Sequence, residues 1–358
     1  MKNPKPLILY EGKHTAYDVE KLKRSDPTVE VCDLYEEQLR ELFEITYPPL
    51  RLSSDYDAKL AEFIKEKTRG NIATSGNWVY FPWSRRLLHT VTEAELFALR
   101  TSRNKNLITT DEQKTLAKFT VGVAGLSIGN GIALALAYSG ISNAMKLAEH
   151  DTFETTNLNR IRSGLQYVGK SKLQMTAEQI YEINPYAEFL LFEDGVTAST
   201  LSEFVTGDPI PRLIFEAIDD FEMKIRLRFK AREVGIPVIM LTNLGDSILI
   251  DVERYDLDRT TPLFNGLIGN VPEEIIAKPI TEQDKQKYAV SIVGIENVPK
   301  RALESLSEIN KTLVGRPQLM STVTVAGGVA AYLARCIALH ESVPSGRRLV
   351  KFEEVFLT

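Results

Sequence analysis

From residue 119 onward, short apolar runs alternate with longer segments in which apolar positions recur every three or four residues. A short apolar run is typical of a buried strand, whereas the longer period is typical of an amphipathic helix. Strands that alternate with helices of this length indicate parallel βαβ units. We therefore predict an α/β fold with a doubly wound, mostly parallel, Rossmann-like sheet. The predicted strands cover residues 119–124, 143–151, 188–194, 211–220 and 236–243, with helices over 170–185 and 221–235.

The first hundred residues repeat this mixture on a smaller scale. "PLILY", "TVEVCDL" and "NWVYFPWSRRLLHTV" are β-prone, whereas "AYDVEKLKR", "LYEEQLRELFEITYP" and "DYDAKLAEFIKEKTRG" have helical periodicity. Thr92 and Glu95 have capping-box spacing at the start of a further helix. The polar stretch "NKNLITTDEQK" then predicts a boundary. We predict an amino-terminal α/β module over residues 1–104, for recognition or dimerisation and as a candidate peptide-binding module, and a larger domain over 105–358 with the pattern of a nucleotide-binding α/β fold.

Composition narrows the class of protein. The chain has 358 residues, of which 44% are hydrophobic and 25% charged, as in an ordinary globular protein. Its net charge of −5 argues against a surface that coats nucleic acid. Two cysteines without a C-x-x-C and four histidines without H-x-x-H spacing give no zinc motif. The run "IALALAYSGISNAM" is too short for a bilayer. We expect a cytoplasmic protein that binds neither nucleic acid nor membrane.

A glycine-containing turn follows the first strand of the larger domain. In "GLSIGNG", Gly125 and Gly129 flank Ser127, which stands where the middle glycine of G-x-G-x-x-G would be. A strand, such a turn and a helix present backbone N–H groups to a phosphate. Glu149 and Asp151 follow the next strand, where a carboxylate binds ribose hydroxyls. The turn alone is equally consistent with NAD and with ATP binding. It is also consistent with a turn that binds no ligand and only joins the strand to a closely packed helix.

The segment after these acids carries several cations. Arg160 offers a planar fork to phosphate oxygens, and Lys172 offers a mobile charge at the start of a helix. Asn157 and Asn159 add neutral hydrogen-bonding groups. A triphosphate attacked at its α-phosphorus needs such charges more than a dinucleotide does. The alternative is a solvated loop with surface charges.

Two further acids end the predicted strand over residues 211–220. Asp219 and Asp220 lie at the carboxyl side of the sheet, where open α/β folds bind ligands. A carboxylate there can hold Mg²⁺ together with substrate phosphates, and we assign this metal to Asp219. The alternative for Asp220 is an N-terminal cap of the following helix.

Together these residues resemble the E1-like adenylating superfamily, the group of ThiF, MoeB and ubiquitin-activating enzymes. The resemblance covers about residues 103–255 and the helix in "STVTVAGGVAAYLARCIALH", and its motifs are "GLSIG", "LAEHD", "TTNLNR", "GKSK" and "EAIDD". It implies ATP and Mg²⁺ as cofactors. Glu149 takes the ribose-binding place, Arg160 and Lys172 contact the triphosphate, and Asp219 coordinates Mg²⁺. Arg103 resembles the arginine that dimers of this superfamily insert into the partner's ATP site, which implies a homodimer.

This sequence departs from the superfamily pattern in its cysteines. Cys336 lies in an apolar helix, where a small buried side chain is expected, and Cys32 lies in the amino-terminal module. Thioester transfer is therefore not expected. The chain is similar to the peptide-modifying members of the microcin C7 and pantocin A type. We predict an ATP-dependent adenylyltransferase that activates a carboxylate on a ribosomally made peptide, with direct nucleophilic attack giving dehydration or an amide-type bond.

Two other functions stay open on the sequence. The first is activation of the carboxyl terminus of a ubiquitin-like or sulfur-carrier protein. The second is an NAD-binding oxidoreductase or a non-catalytic nucleotide sensor, against which the set of Arg160, Lys172 and Asp219 argues. The expected partner is a peptide or a small carrier protein.

Overall fold

The computed structural model of the chain describes residues 4–269, 271–272, 281, 288 and 290–357. The chain divides into two compact units, one of residues 1–113 and 178–186 and the other of residues 114–177 and 187–358. The division after residue 113 lies within the polar stretch in which the boundary was predicted. The return of residues 178–186 to the first unit is not visible in the order of the sequence.

The first unit contains a sheet with the strand order β1-β3-β4-β2. β3 is antiparallel to β1 and β4, and β2 is parallel to β4. The strands are β1 (Leu7–Leu9), β2 (Glu30–Asp33), β3 (Asn77–Phe81) and β4 (Arg86–Thr90), and the helices are α1 (Ala16–Ser25), α2 (Tyr35–Thr46), α3 (Tyr56–Thr68) and α4 (Glu93–Thr101). The predicted capping box is present, because the Glu95 carboxylate accepts a hydrogen bond from the Thr92 backbone N–H at 3.1 Å.

His89, which is fully buried, belongs to the core of the first unit. The His89 ring stacks between Trp78 and Tyr35, with ring centroids 4.2 and 4.6 Å away. Its two nitrogens lie 3.0 Å from Asp33 Oδ1 and 2.8 Å from the Ser75 carbonyl oxygen. These contacts satisfy a polar side chain inside an aromatic cluster, as burial requires.

The second unit contains a larger sheet, in which seven of the described strands have the order β11-β10-β9-β8-β5-β6-β7. The strands are β5 (Val121–Ala124), β6 (Ala144–Ala148), β7 (Glu188–Phe192), β8 (Leu213–Glu216), β9 (Val238–Leu244), β10 (Ser247–Glu253) and β11 (Gly346–Lys351). The helices, numbered on from the first unit, are α5 (Thr110–Lys118), α6 (Ile128–Tyr138), α7 (Lys172–Ile183), α8 (Leu201–Thr206), α9 (Phe221–Val234), α10 (Lys300–Leu306), α11 (Met320–Ala338) and α12 (Phe352–Phe356); α5 begins and α7 ends in residues of the first unit.

Strand order places the candidate site. β5 to β9 pair in parallel, whereas β10 and β11 pair antiparallel. β5 lies between β6 and β8, so the chain winds to one side through β6 and β7 and to the other through β8 and β9. Ligands of open α/β sheets bind at such a switch point, at the carboxyl ends of the strands. The predicted mostly parallel, doubly wound α/β fold is confirmed.

Helix α11 packs into the core of the second unit through its small residues. Among the described residues it is the helix whose length and apolar composition would suffice to cross a membrane, a weak signal that core helices also give. Ala326 and Ala330 are fully buried. A Cβ on Gly327 would lie 2.8 Å from the Gly131 carbonyl oxygen of α6. This close approach identifies α11 as a core helix.

The prediction for the end of β8 was wrong. The strand ends at Glu216, not at Asp220, and the Ala217 N–H donates to the Ala124 carbonyl at 2.7 Å as the chain leaves the sheet. The Ile218 N–H then donates to the Glu216 side chain at 2.7 Å instead of to a neighbouring strand. Asp219 therefore lies on a loop beyond the strand, where it is exposed.

Candidate functional site

The carboxyl ends of β5, β6 and β8 meet at the glycine turn. The Gly125 N–H donates to the Ala148 carbonyl at 2.8 Å. Gly125 has a φ of +88°, and a Cβ on it would lie 2.3 Å from the Ala217 carbonyl oxygen. Only glycine combines this left-handed backbone with so close an approach. The turn is therefore held from both sides by neighbouring strand ends.

The residues after Gly125 begin helix α6. Ser127 is the N-cap residue, and its side chain makes no capping hydrogen bond, which leaves the hydroxyl at the positive end of the helix dipole. A Cβ on Gly129 would lie 2.9 Å from Val123 Cγ1. Gly129 thus allows α6 to pack closely on β5, while Ser127 replaces the middle glycine without disturbing the strand, turn and helix geometry.

Glu149 supports the turn from the end of β6. It is 6% exposed, and its Oε2 accepts from the Leu126 N–H at 2.8 Å. Its Oε1 accepts from the N–H groups of His150 and Asp151 at 2.8 and 3.0 Å. A carboxylate oxygen accepts about two hydrogen bonds, so Oε2 retains one position for a hydroxyl donor. Ribose binding by Glu149 stays a prediction, and the structure adds a role in shaping the turn.

Asp151 and Lys172 form an ion pair. Lys172 is 5% exposed, and its Nζ lies 2.8 Å from Asp151 Oδ2. The Lys172 N–H also donates to the Asp151 carbonyl, at 3.0 Å. Partial burial would raise the pKa of Asp151, but the hydrogen bond and charge of Lys172, aided by His150, lower it overall. The pair places the predicted triphosphate lysine beside the predicted ribose acid.

Asn157 shapes the loop that carries Arg160. Its buried side-chain oxygen accepts from the Glu154 N–H at 3.1 Å. Its carbonyl accepts from the N–H groups of Arg160 and Ile161, at 3.0 and 2.8 Å. Asn157 therefore acts first as a local scaffold, and its predicted contact with phosphate stays a prediction.

Arg160 has unused hydrogen-bonding capacity. Its Nη1 donates to the Thr156 carbonyl and to Asn159 Oδ1, at 3.1 and 3.0 Å. Its Nε is buried and has no hydrogen-bond partner among the residues that the structure describes. A buried donor without a partner is costly, so such a group often faces a ligand. Burial lowers the pKa of the Arg160 guanidinium, while the charges of Asp219 and Glu154 act in the opposite direction.

The loop after β8 presents its two acids differently. Asp220 Oδ1 accepts from the Met223 N–H at 2.8 Å, which confirms the helix-cap interpretation of this residue. Asp219 is exposed, and its charge acts on Arg160. An exposed carboxylate is a type of ligand that Mg²⁺ prefers, and a guanidinium N–H can donate to a phosphate oxygen.

A second acidic group is less suited to a metal. Glu149, His150 and Asp151 each offer a ligand atom, all within 4.8 Å of one another. The oxygens of Glu149 accept three backbone hydrogen bonds, however, and Asp151 is paired with Lys172. We therefore keep the assignment of the metal to Asp219.

Arg103 is the predicted site residue that belongs to the first unit. It lies on the short 3₁₀ helix Ser102–Asn104, after α4. The other predicted site residues all belong to the second unit. Its insertion into a partner's site stays a prediction.

Sequence analysis did not single out a buried charged group behind the Asp219 loop. It consists of Glu216, Lys224, Arg228 and Glu253, of which Lys224 alone is partly exposed. A signal was present, because Glu216 is an acid inside the apolar run "LIFEA". An acid at such a position is buried and must be paired.

Comparison with known proteins agrees with this geometry. Residues 101–339 match the ThiF family. An uncharacterized Mycobacterium tuberculosis protein, MT1398, is 33% identical over 95% of this chain and 44% of its own length. The tRNA threonylcarbamoyladenosine dehydratase of Bacillus subtilis is 30% identical over 44% of this chain and 60% of its own length. The chain thus spans less than two thirds of these relatives.

The comparison of structures supports the fold. The crystal structure of PaaA superposes with a TM-score of 0.51 and 19% identity, covering 73% of this chain and 77% of PaaA. At this identity the likeness concerns the arrangement of strands and helices alone.

Proposed function

This chain belongs to the ThiF family of E1-like enzymes, which adenylate their substrates with ATP, and we propose that it adenylates a carboxylate of a ribosomally made peptide. One observation carries the proposal: the buried Nε of Arg160 has no hydrogen-bond partner among the described residues, and the negative charge of the exposed Asp219 acts on the same guanidinium. A phosphate group bound with a divalent cation satisfies both residues, since it accepts from arginine and shares the cation with the carboxylate.

Each site residue has a role in this proposal. The α6 N-terminus and the turn at Gly125 receive phosphate oxygens, and Glu149 accepts from a ribose hydroxyl. Arg160 and Lys172 neutralise the charge that develops on the phosphates. Asp219 would hold Mg²⁺, which supplies further neutralisation of phosphate charge when it is bound.

The chemical step follows from these roles. A substrate carboxylate oxygen attacks the α-phosphorus of ATP, the bond from phosphorus to the bridging oxygen breaks, and pyrophosphate leaves with the electron pair. A nucleophile then attacks the acyl carbon of the adenylate, and AMP leaves. With a nucleophile from the same peptide, the net result is dehydration or an amide-type bond.

The cysteines favour direct attack over a thioester. Cys336 is 1% exposed, and its burial, with a contribution from Glu341, raises the pKa of its thiol. A buried neutral thiol is a poor nucleophile. Cys32 lies on β2 in the first unit, whereas the ends of β5, β6 and β8 belong to the second unit.

The first unit offers a place for an extended peptide. β2 is the last strand in the sheet order among the described residues, so one side of it carries backbone groups that no neighbouring strand pairs. Extended peptides add to such edges through main-chain hydrogen bonds. This edge supports a peptide substrate over a small metabolite.

Pyrophosphate exchange tests the proposal directly. Labelled pyrophosphate should enter ATP only when a peptide with the correct carboxylate is present. Asp219→Ala should lower this exchange by about 100-fold, because phosphate charge loses its counter-ion. Asp220→Asn is the matched control, since an amide oxygen retains the helix cap. Full exchange by Asp219→Ala would refute the assignment of the metal.

The same assay separates the other functions. Exchange that depends on a small protein ending in Gly-Gly would favour carrier activation. Because the B. subtilis relative is named for a tRNA nucleoside, bulk tRNA is a further test substrate, although the net charge of −5 argues against an extended nucleic-acid surface. Tight NAD(H) binding without ATP binding would establish the oxidoreductase alternative.

A further inference from the structure

Four charged residues form a buried cluster behind the loop of Asp219. The side chains of Glu216, Arg228 and Glu253 have no exposed surface, and that of Lys224 is 17% exposed. Two acids and two bases give the cluster no net charge. Such a group is expensive to bury and is often replaceable by apolar side chains without loss of stability. Its presence at this place in the fold therefore calls for a role other than stability.

Glu216 connects the loop to helix α9. Its Oε1 accepts from the Ile218 N–H and from Lys224 Nζ, both at 2.7 Å. Its Oε2 accepts from Arg228 Nη1 at 2.6 Å. Burial alone would raise the pKa of Glu216, but Lys224 and Arg228 outweigh it and lower the pKa. An ionised carboxylate only accepts hydrogen bonds, so the Ile218 N–H is turned toward it.

The opposite end of the cluster is fixed to β10. Arg228 Nε lies 2.7 Å from Glu253 Oε2, and the guanidinium lies 4.0 Å from the centroid of the Phe264 ring. Glu253 Oε1 accepts from the Tyr255 hydroxyl at 2.6 Å and from the Phe264 N–H at 2.7 Å. Glu253 thus holds Arg228, and the partners in these bonds, Arg228, Tyr255 and Phe264, all lie outside the Asp219 loop.

The loop of residues 217–220 is fixed on both sides of Asp219. Before it, Ala217 donates to Ala124 and Ile218 donates to Glu216. After it, Asp220 caps α9 through Met223. Asp219 and Asp220 are both exposed, but these bonds involve the carboxylate of Asp220 and not that of Asp219. Asp219 therefore lies on a short backbone segment whose direction is fixed at both ends.

We propose that Glu216 is a positioning residue, whose carboxylate aims the Asp219 side chain at the metal by holding the Ile218 N–H against helix α9. The proposal rests on the proposed function, in which Asp219 holds Mg²⁺ bound to ATP. Residues that orient a metal ligand in this indirect way commonly contribute about 10- to 100-fold to metal affinity.

Calorimetric titration of the full chain with ATP at a series of Mg²⁺ concentrations tests the role of Glu216. Glu216→Gln keeps the shape of the side chain but has one accepting oxygen where the carboxylate has two, so that the Ile218 N–H, Lys224 and Arg228 can no longer all donate to it. It should raise the Mg²⁺ concentration for half-maximal tightening of ATP binding by about 10-fold or more. ATP binding without Mg²⁺ should stay at the wild-type value, because Arg160 and Lys172 are unchanged.

Glu253→Gln is the matched control. Glu253 is equally buried and bonds to the same arginine at a similar distance, yet it does not contact the loop. Both variants should unfold at lower urea concentration, but Glu253→Gln should keep the Mg²⁺ dependence of the wild type. A Glu216→Gln variant with wild-type Mg²⁺ dependence would overturn the proposal. An equal shift in both variants would overturn it too, because the role would then be purely structural.

Two further results keep the conclusions separate. Absence of ATP binding by the wild type would refute the proposed function itself. If the wild type binds ATP and Glu216→Gln has the same Mg²⁺ dependence of ATP binding, only the positioning role is refuted. If Glu216→Gln does not fold, Lys224→Gln decides, since Lys224 bonds to the same Oε1 from a partly exposed position. A raised Mg²⁺ requirement in Lys224→Gln supports the proposal, and an unchanged one overturns it.

Discussion

Gly125 and Gly169 have the same left-handed backbone in different surroundings. Their φ angles are +88° and +86°, but a Cβ on Gly169 would have nothing within 4 Å, whereas one on Gly125 would lie 2.3 Å from the Ala217 carbonyl oxygen. We expect Gly169→Ala to cost about 1 kcal/mol and Gly125→Ala about 3 kcal/mol or more in the free energy of unfolding. Urea unfolding measures both losses. Equal losses would contradict the close contact with Ala217.

Gly125→Ala should also abolish ATP binding, because the turn shifts away from Ala217 at the end of β8. Gly169→Ala, matched in backbone strain, should retain it. Calorimetric titration with ATP distinguishes the two. Retained ATP binding by a folded Gly125→Ala would show that the turn does not receive the phosphates.

The pair of Asp151 and Lys172 should make stability depend on pH. The pKa of Asp151 is lowered from its ordinary value of 3.8, so its stabilisation is fully present above that value and is lost as the pH falls through the folded-state pKa. Because the Asp151 side chain is 50% exposed, we expect Asp151→Asn to cost only about 1 kcal/mol at pH 7. Urea unfolding from neutral to acidic pH measures the difference.

The sign of this effect is testable. Wild type and Asp151→Asn should differ by a constant amount at neutral pH and converge in acid. A difference that grows as the pH falls would contradict the lowered pKa of Asp151. Glu154→Gln, at another exposed acid of the same loop, is the control for a general loss of negative charge.

The sequence predicted residue types at the site better than their contacts. Asp151, Arg160 and Lys172 were singled out by charge after a strand, and the structure adds what each one bonds. The partner of Gly125 is Ala217, far along the chain, and no local pattern indicates that contact. Glu216 was missed because an acid in an apolar run has meaning only once Lys224 and Arg228 are placed beside it.

At the scale of elements, the packing of α11 on α6 depends on one of two adjacent glycines. A Cβ on Gly327 would lie 2.8 Å from the Gly131 carbonyl oxygen, whereas one on Gly328 would have nothing within 4 Å. We expect Gly328→Ala to stabilise the protein by up to about 1 kcal/mol through helix propensity. Gly327→Ala should destabilise it by about 1–3 kcal/mol through overpacking.

Thermal or urea unfolding of the two variants checks this prediction. The substitution is identical and the positions are neighbours in one helix, so helix propensity cancels in the comparison. Stabilisation by both would show that α11 does not approach α6 this closely.

Elements were predicted well where burial alone determines them. Apolar runs predicted strands at the positions of β5, β6, β7 and β9. Residue type predicted the helix caps at Thr92, before α4, and at Asp220, before α9. The end of β8 was predicted four residues too late. The Ile218 N–H donates to the Glu216 side chain and is therefore not used in a hydrogen bond to a neighbouring strand. The hydrophobic pattern does not indicate whether a backbone N–H will donate to a side chain or to a neighbouring strand.

At the scale of the whole molecule, the family match and the two units do not coincide. The match begins at residue 101, so residues 1–100 of the first unit lie outside it, whereas its residues 101–113 and 178–186 lie inside it. The residues of the second unit that we predict to bind ATP all lie within the matched segment. We place substrate recognition in the first unit, whose edge strand β2 is suited to an extended chain.

Arg103 connects these two parts if the chain forms a homodimer, as we predict. Arg103→Ala and Asp219→Ala should each lower pyrophosphate exchange by about 100-fold, since each lacks one charged group of the site. In a random mixture half of the dimers are mixed, and one of the two sites in each carries both residues. Mixing equal amounts should therefore restore about a quarter of wild-type activity when Arg103 acts across the interface.

Recovery by mixing separates action in trans from action within one chain. If Arg103 served the site of its own subunit, each chain of the mixed dimer would still lack one group, and no activity would return. Copurification of differently tagged variants shows that subunits have exchanged, and sedimentation shows the dimer. Exchange of subunits without recovery would refute the trans role, whereas a monomer with full activity would refute the dimer as a requirement for catalysis.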